Sequence, residues 1–248
     1  MNQIRESITL SQFIITSAIN VVDTILFFLT YEFTLTYHAL KYLTNITLYF
    51  NSTYLFLAFI CDISFFILKS QKLEGFNYFL RNKFCNIINP MSYLVSLLFW
   101  ILVACGGIIG SFETSKDTLF SIYAHLLITI FIIVDLFIHE HEIHKFSLFT
   151  FAFIFLYIFC YIIIIIICRA NNVYVYEFIE DISVGGFIGY ALLFIIFTFG
   201  AYLLHIFILQ LKYKYIIKNK EKQDFNEEVN KIIQMSDFSK TSTDDEVD

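Results

Sequence analysis

Six stretches of about 20 mostly apolar residues, each bounded by charge, fall near 9–31, 43–68, 88–111, 118–138, 146–168 and 185–211. This pattern predicts an all-α membrane protein, a six-transmembrane-helix bundle. Polar residues interrupt three of the spans at helical spacing. In KYLTNITLYFNSTYLFLAFICDI, residues 41–63, Thr44, Asn51 and Asp62 return to one stripe, with Thr47 beside it. Ser121, His125, Thr129 and His139 share a stripe in the fourth span, and Thr16, Asn20 and Asp23 share one in the first. An unpaired polar group in lipid is costly, so each stripe is expected to face the interior.

Charge sets the orientation. Of the 16 Lys and Arg, only Lys41, Lys116 and Arg169 fall on one side of the spans, while the rest, including Arg81 and Lys83 before the third span, fall on the other. The positive-inside rule then places both termini in the cytoplasm. The chain is expected to divide into a transmembrane domain, residues 1–211, and a cytoplasmic tail, 212–248. In the tail a short amphipathic stretch (Phe225, Val229, Ile232, Ile233) precedes a disordered acidic end. Asn20 and Asp23 break the first apolar stretch and no A-x-A site follows, so that span is read as a signal anchor. The endoplasmic reticulum or plasma membrane is the expected location.

Composition agrees: 58% of residues are hydrophobic, and the net charge of −6 gives nucleic acid no basic footprint. The five cysteines form no CxxC pair and imply neither a disulfide framework nor a zinc site. In HEHEIH, residues 139–144, His141 and His144 share a helical face with Glu140 and Glu142 nearby. One such cluster among six histidines is too few for a membrane di-iron site, and a solvated turn is the reading taken. No metal or cofactor is expected. Asp62 and Asp135 read as capping or snorkelling acids, and His38 and His205 have no evident partner.

Interhelical hydrogen bonding, worth about 0.6 kcal/mol per group, accounts for most of the polar positions. Asn45 and Asn51 head sequons but lie within a span, beyond reach of glycosylation. Thr44 and His125 stand apart because their depths match. The second and fourth spans run in the same direction, with Thr44 about one turn past Lys41 and His125 about two turns past Asp117. A hydroxyl becomes a nucleophile when a base takes its proton, and imidazole suits that task near neutrality. Structural hydrogen bonding is the competing explanation.

KYLTNITLYFNSTYLFLAFICDI resembles the second span of the androgen-induced and androgen-dependent TFPI-regulating protein family. NNVYVYEFIEDI, residues 171–182, is similar to that family's segment between spans five and six, and Phe99–Trp100 agree with its third span. The resemblance covers most of residues 10–212. It implies a membrane threonine hydrolase that cleaves fatty acid esters of hydroxy fatty acids, with Thr44 as nucleophile and His125 as base. A lipid ester is then the expected partner, with Asn51, Ser121 and Thr129 shaping its pocket. The chain departs from the family's NHxxHT pattern: SIYAHL keeps only the second His, with Ser121, Ile122 and Leu126 in the other slots. Ile130 and Glu177 stand where the family has Pro. The alternative is a non-catalytic lipid-binding protein or transporter, against which stand the absence of symmetric halves and the single proline, Pro90.

Overall fold

A computed structural model describes residues 9–30, 42–68, 72–104, 114–139, 147–173, 175 and 182–217. All regular structure among them is helical: α1 (Leu10–Leu29), α2 (Leu43–Phe66), α3 (Glu74–Ala104), α4 (Ser115–Ile138), α5 (Leu148–Ala170) and α6 (Val184–Lys212), the last continued by a π turn at Tyr213–Ile217. Each is long and apolar enough to cross a membrane. The chain divides into two compact units, Met1–Ile206 and Phe207–Asp248. Every interaction described below lies within the first. His38, residues 140–144, the end of the third predicted span and the tail helix lie outside the described residues.

Local chemistry sets several helix ends. Thr9 and Gln12 close a capping box on α1, and Thr114 and Asp117 do the same on α4. At the end of α5, Asn172 takes the left-handed conformation (φ 54°). Val173 N–H then reaches the Cys168 carbonyl at 2.9 Å, and Asn172 N–H the Arg169 carbonyl at 3.0 Å. This is a Schellman end with asparagine in glycine's place.

Helices α2, α3 and α4 pack on one another, α1 packs on α2 and α4, and α5 packs on α3. Their shared core contains Leu48, Leu55, Ile88, Tyr123, Ile128 and Ile132. Leu10, Ile14, Val21, Ile25 and Phe28 of α1 are exposed while Thr16, Asn20 and Asp23 are buried. Apolar side chains thus face outward and the predicted polar stripe inward, as a lipid solvent demands.

The third helix corrects the sequence reading. It begins at Glu74 instead of near 88, so Arg81 lies within the helix and is almost fully buried. Local hydropathy put Arg81 in a charged loop. Its neutralising partners come from other helices: Nη2 donates to Asp62 Oδ1 at 2.8 Å and Nη1 to Asp135 Oδ1 at 2.9 Å. Asp62 and Asp135 are therefore internal counter-ions of one guanidinium and not caps or snorkelling acids. Asn77 Oδ1 accepts from Arg81 Nε at 2.9 Å, and Tyr54 donates to Asp135 Oδ2 at 2.6 Å. His139, read as part of a solvated turn, is buried with Nε2 at 3.5 Å from Asp135 and 3.7 Å from Asp62. His205 has a partner after all, Asn86 Oδ1 at 2.7 Å.

Candidate active site within the helices

The two faces of the protein can be named by the ends of α2. The Leu43 side also holds the start of α4, and the Phe66 side holds the start of α3. The Arg81 cluster occupies the Phe66 side. A second set of polar side chains lies toward the Leu43 side, and there the register among α2, α3 and α4 is set by a few contacts.

Asn51 Nδ2 donates to Ser92 Oγ at 2.6 Å, tying α2 to the antiparallel α3. About two turns toward the Leu43 side from that bond lie Thr44 on α2 and Phe99 on α3. Phe99 in turn stacks on His125 of α4, with ring centroids 3.6 Å apart and planes within 4°. Thr44 and the Phe99 that stacks on His125 thus both lie on the Leu43 side of the Asn51–Ser92 bond, while α2 meets α4 directly through Ser52 and Tyr123, hydroxyl to hydroxyl at 3.1 Å. Among the described residues no hydrogen bond joins Thr44 to His125 directly. Thr44 is half-buried, and the first N–H of its helix, that of Leu43, donates to Tyr161 Oη of α5 at 3.0 Å. That contact pins the start of α2.

His125 sits in a π turn, Tyr123–Leu127, where the Ile128 N–H bonds to the Tyr123 carbonyl five residues back. Such turns disturb the main-chain ladder and recur at functional positions. The His125 carbonyl accepts from Trp100 Nε1 at 3.3 Å. The imidazole is 6% exposed, hydrogen-bonds the Val95 carbonyl, and leaves Nδ1 buried without a hydrogen-bond partner. A buried polar atom left unpaired is costly, and active sites are one place where it persists.

The other sequence-predicted residues occupy distinct positions. Asn51 is fully buried, its Oδ1 without a partner although its Nδ2 is engaged. Thr129 Oγ1 shares a 2.6 Å hydrogen bond with Ser96 of α3, one turn deeper than His125. Ser121 is buried one turn shallower. Ser121, His125 and Thr129 thus follow one face of α4. Asp23 belongs to a separate cluster between α1, α2 and α4, where it accepts from Tyr123 Oη at 2.8 Å and Ser52 Oγ at 3.2 Å.

Sequence reasoning missed two features. Phe99 was noted only as part of a family-like Phe–Trp pair, and no pattern separates it from the other phenylalanines. A recess between α2, α3 and α5 is lined by Thr47, Phe50, Phe84, Ile88, Met91 and Tyr157. Thr47 and Tyr157 share a 3.3 Å hydroxyl contact there, one turn deeper than Thr44. The apolar side chains could have been found as a stripe, but the hydroxyl contact crosses between helices far apart in sequence.

A family model described as FAR-17a/AIG1-like protein matches residues 8–210. No curated protein and no solved structure matches the chain. The family match covers well over half of the sequence, so the chain belongs to the FAR-17a/AIG1-like family, as its second span and its Phe–Trp pair had indicated.

Proposed function

From membership of the FAR-17a/AIG1-like family, we propose that this protein is an intramembrane threonine hydrolase of fatty acid esters of hydroxy fatty acids or related lipid esters. The observation that carries the proposal is His125 itself, a buried imidazole in a π turn that keeps one nitrogen free of hydrogen bonds. Thr44 Oγ1 attacks the ester carbonyl carbon as His125 takes its proton. His125 then protonates the departing alcohol, and water hydrolyses the acyl-threonine.

The oxyanion needs donors close to Thr44. Asn51 is a poor candidate, since its Nδ2 is held by Ser92 two turns away. Tyr42 gives α2 no side-chain cap, and the main-chain N–H of Thr44, in its first turn, is the donor we assign. The recess beside Thr47 is the place for an acyl chain, because its wall is apolar and it begins one turn from Thr44. A transporter would place its buried charges along a path. Here Asp62 and Asp135 are both held by Arg81, and Asp23 by the hydroxyls of Tyr123 and Ser52, so each of these buried acids is engaged inside the bundle, which favours the hydrolase.

A fluorophosphonate probe tests the assignment of the nucleophile. It should label the wild-type protein at Thr44 and leave Thr44→Ala unlabelled; equal labelling of the two would remove Thr44 from the role. The proposed orientation has both termini in the cytoplasm and the Leu43 side facing away from it. A tag after Asp248 should then resist protease added to sealed cells, and a tag between Phe112 and Asp117 should be cleaved. The reverse pattern would invert the topology.

A further inference from the structure

Hydrolases of the Ser/His/Asp type orient the imidazole with a carboxylate, which also fixes its tautomer. His125 is held by other means. Its ring bonds to a main-chain carbonyl, that of Val95, and lies flat on Phe99. Phe99 is 7% exposed and is braced by Trp100, whose ring meets it edge-on at 5.3 Å and 83°. The indole N–H of Trp100 also donates to the His125 carbonyl. The aromatic pair therefore grips both the ring and the main chain of the π turn.

Stacking restrains rotation about the side-chain torsions but leaves the ring's edge open, and the nitrogen lone pair lies in that edge. A neutral imidazole has one N–H donor and one acceptor nitrogen. Since the Val95 carbonyl can only accept, it takes the N–H. Nδ1, buried and without a partner, is left as the acceptor.

We propose that Phe99 is a positioning residue for His125, supplying by stacking the orientation that a carboxylate supplies elsewhere, and that Nδ1 is the nitrogen that accepts the Thr44 proton. The inference rests on the hydrolase reading above. The proton balance closes. As Thr44 Oγ1 bonds to the carbonyl carbon, its proton passes to Nδ1. The ester C–O bond breaks as that proton moves to the leaving alkoxide. In the second half, Nδ1 takes a proton from the attacking water and returns it to Thr44 Oγ1 as the acid departs. The N–H directed at Val95 does not move in either half.

The test uses the full-length protein in lipid nanodiscs with an ester of a long-chain fatty acid and a hydroxy fatty acid, comparing wild type, Phe99→Leu, Phe99→Tyr, Thr44→Ala and His125→Ala. Phe99→Leu should lower kcat by about 100-fold while KM stays within about two-fold, because a misplaced base slows chemistry without weakening ground-state binding. Phe99→Tyr keeps the ring face and should remain within a few fold of wild type. ¹⁵N spectra of histidine-labelled protein, with the His125 signals assigned from His125→Ala, should show one tautomer with Nδ1 unprotonated. Phe99→Leu should show a mixture. A protonated Nδ1 in the wild type, or an unchanged kcat in Phe99→Leu, would overturn the proposal. Full activity in Thr44→Ala would instead remove the hydrolase reading itself, whereas an inactive Thr44→Ala beside a normal Phe99→Leu removes Phe99 alone. If Phe99→Leu fails to insert, the wild-type tautomer and the kcat of Phe99→Tyr decide.

Discussion

Two π turns lie in the core of the first unit, and each carries one basic side chain inward. Leu80–Phe84 on α3 presents Arg81, and Tyr123–Leu127 on α4 presents His125. Arg81 is surrounded: each of its three guanidinium nitrogens donates to an acceptor, two carboxylates and an amide, and Tyr54 in turn donates to Asp135. His125 has a main-chain carbonyl on one nitrogen and nothing on the other. The same backbone device therefore serves two ends. A paired cation holds α2, α3 and α4 together. An imidazole with one free nitrogen is available for a proton from outside its own network, which is what a base requires.

Mutation should separate the two regions, and the largest effect on stability belongs to Arg81. Arg81→Leu leaves Asp62 and Asp135 buried beside each other with no guanidinium, a defect that costs about 3–5 kcal/mol. Thermal unfolding of purified protein should show it as a collapse of the melting temperature or a failure to express. Replacing Asp62 and Asp135 by Leu as well should recover most of the loss. A melting temperature unchanged in Arg81→Leu would show that the cluster is not the clamp described here.

Next in size is the loss of activity without loss of fold. His125→Ala removes a side chain whose polar contact is one main-chain carbonyl, and should cost about 0.6 kcal/mol as an interhelical contact. Its ester hydrolysis should nevertheless fall to near background. Comparable damage to stability and activity would make His125 another structural anchor and erase the contrast with Arg81.

Smaller effects sharpen the boundary between the regions. Thr44→Ser keeps a hydroxyl and should retain partial turnover, measured as kcat on the same ester. His139→Ala removes a group 3.5 and 3.7 Å from two acids that are already paired with Arg81, and should cost about 1 kcal/mol with activity within a few fold. A complete loss of hydrolysis in His139→Ala would link the Arg81 cluster to the chemistry.

The legible part of this fold was whatever repeats locally. Five of the six spans and the inward polar stripes follow from windows of about 20 residues and from the helical repeat. The start of α3 was not legible, because the hydropathy of its first turns is lowered by Asn77, Arg81, Asn82, Lys83 and Asn86. What makes Arg81 compatible with burial lies 19 and 54 residues away in sequence. His139 was misread for the same reason. At the candidate site the sequence offers Thr44 and His125 as residue types but not Phe99, Val95 or Trp100, since stacking and a main-chain acceptor leave no periodic trace. The π turn adds to the difficulty by shifting the face on which residues beyond Tyr123 point.

The central claim is that Thr44 and His125 act as one catalytic unit, and a double-mutant comparison tests it most directly. Wild type, Thr44→Ala, His125→Ala and the double variant, each purified and shown to be folded, would be assayed for hydrolysis of a fatty acid ester of a hydroxy fatty acid. The account predicts that each single variant loses nearly all activity and that the double variant is scarcely worse than either, because a nucleophile without its base is as inert as a base without its nucleophile. Hydrolysis by Thr44→Ala at the wild-type rate would contradict it.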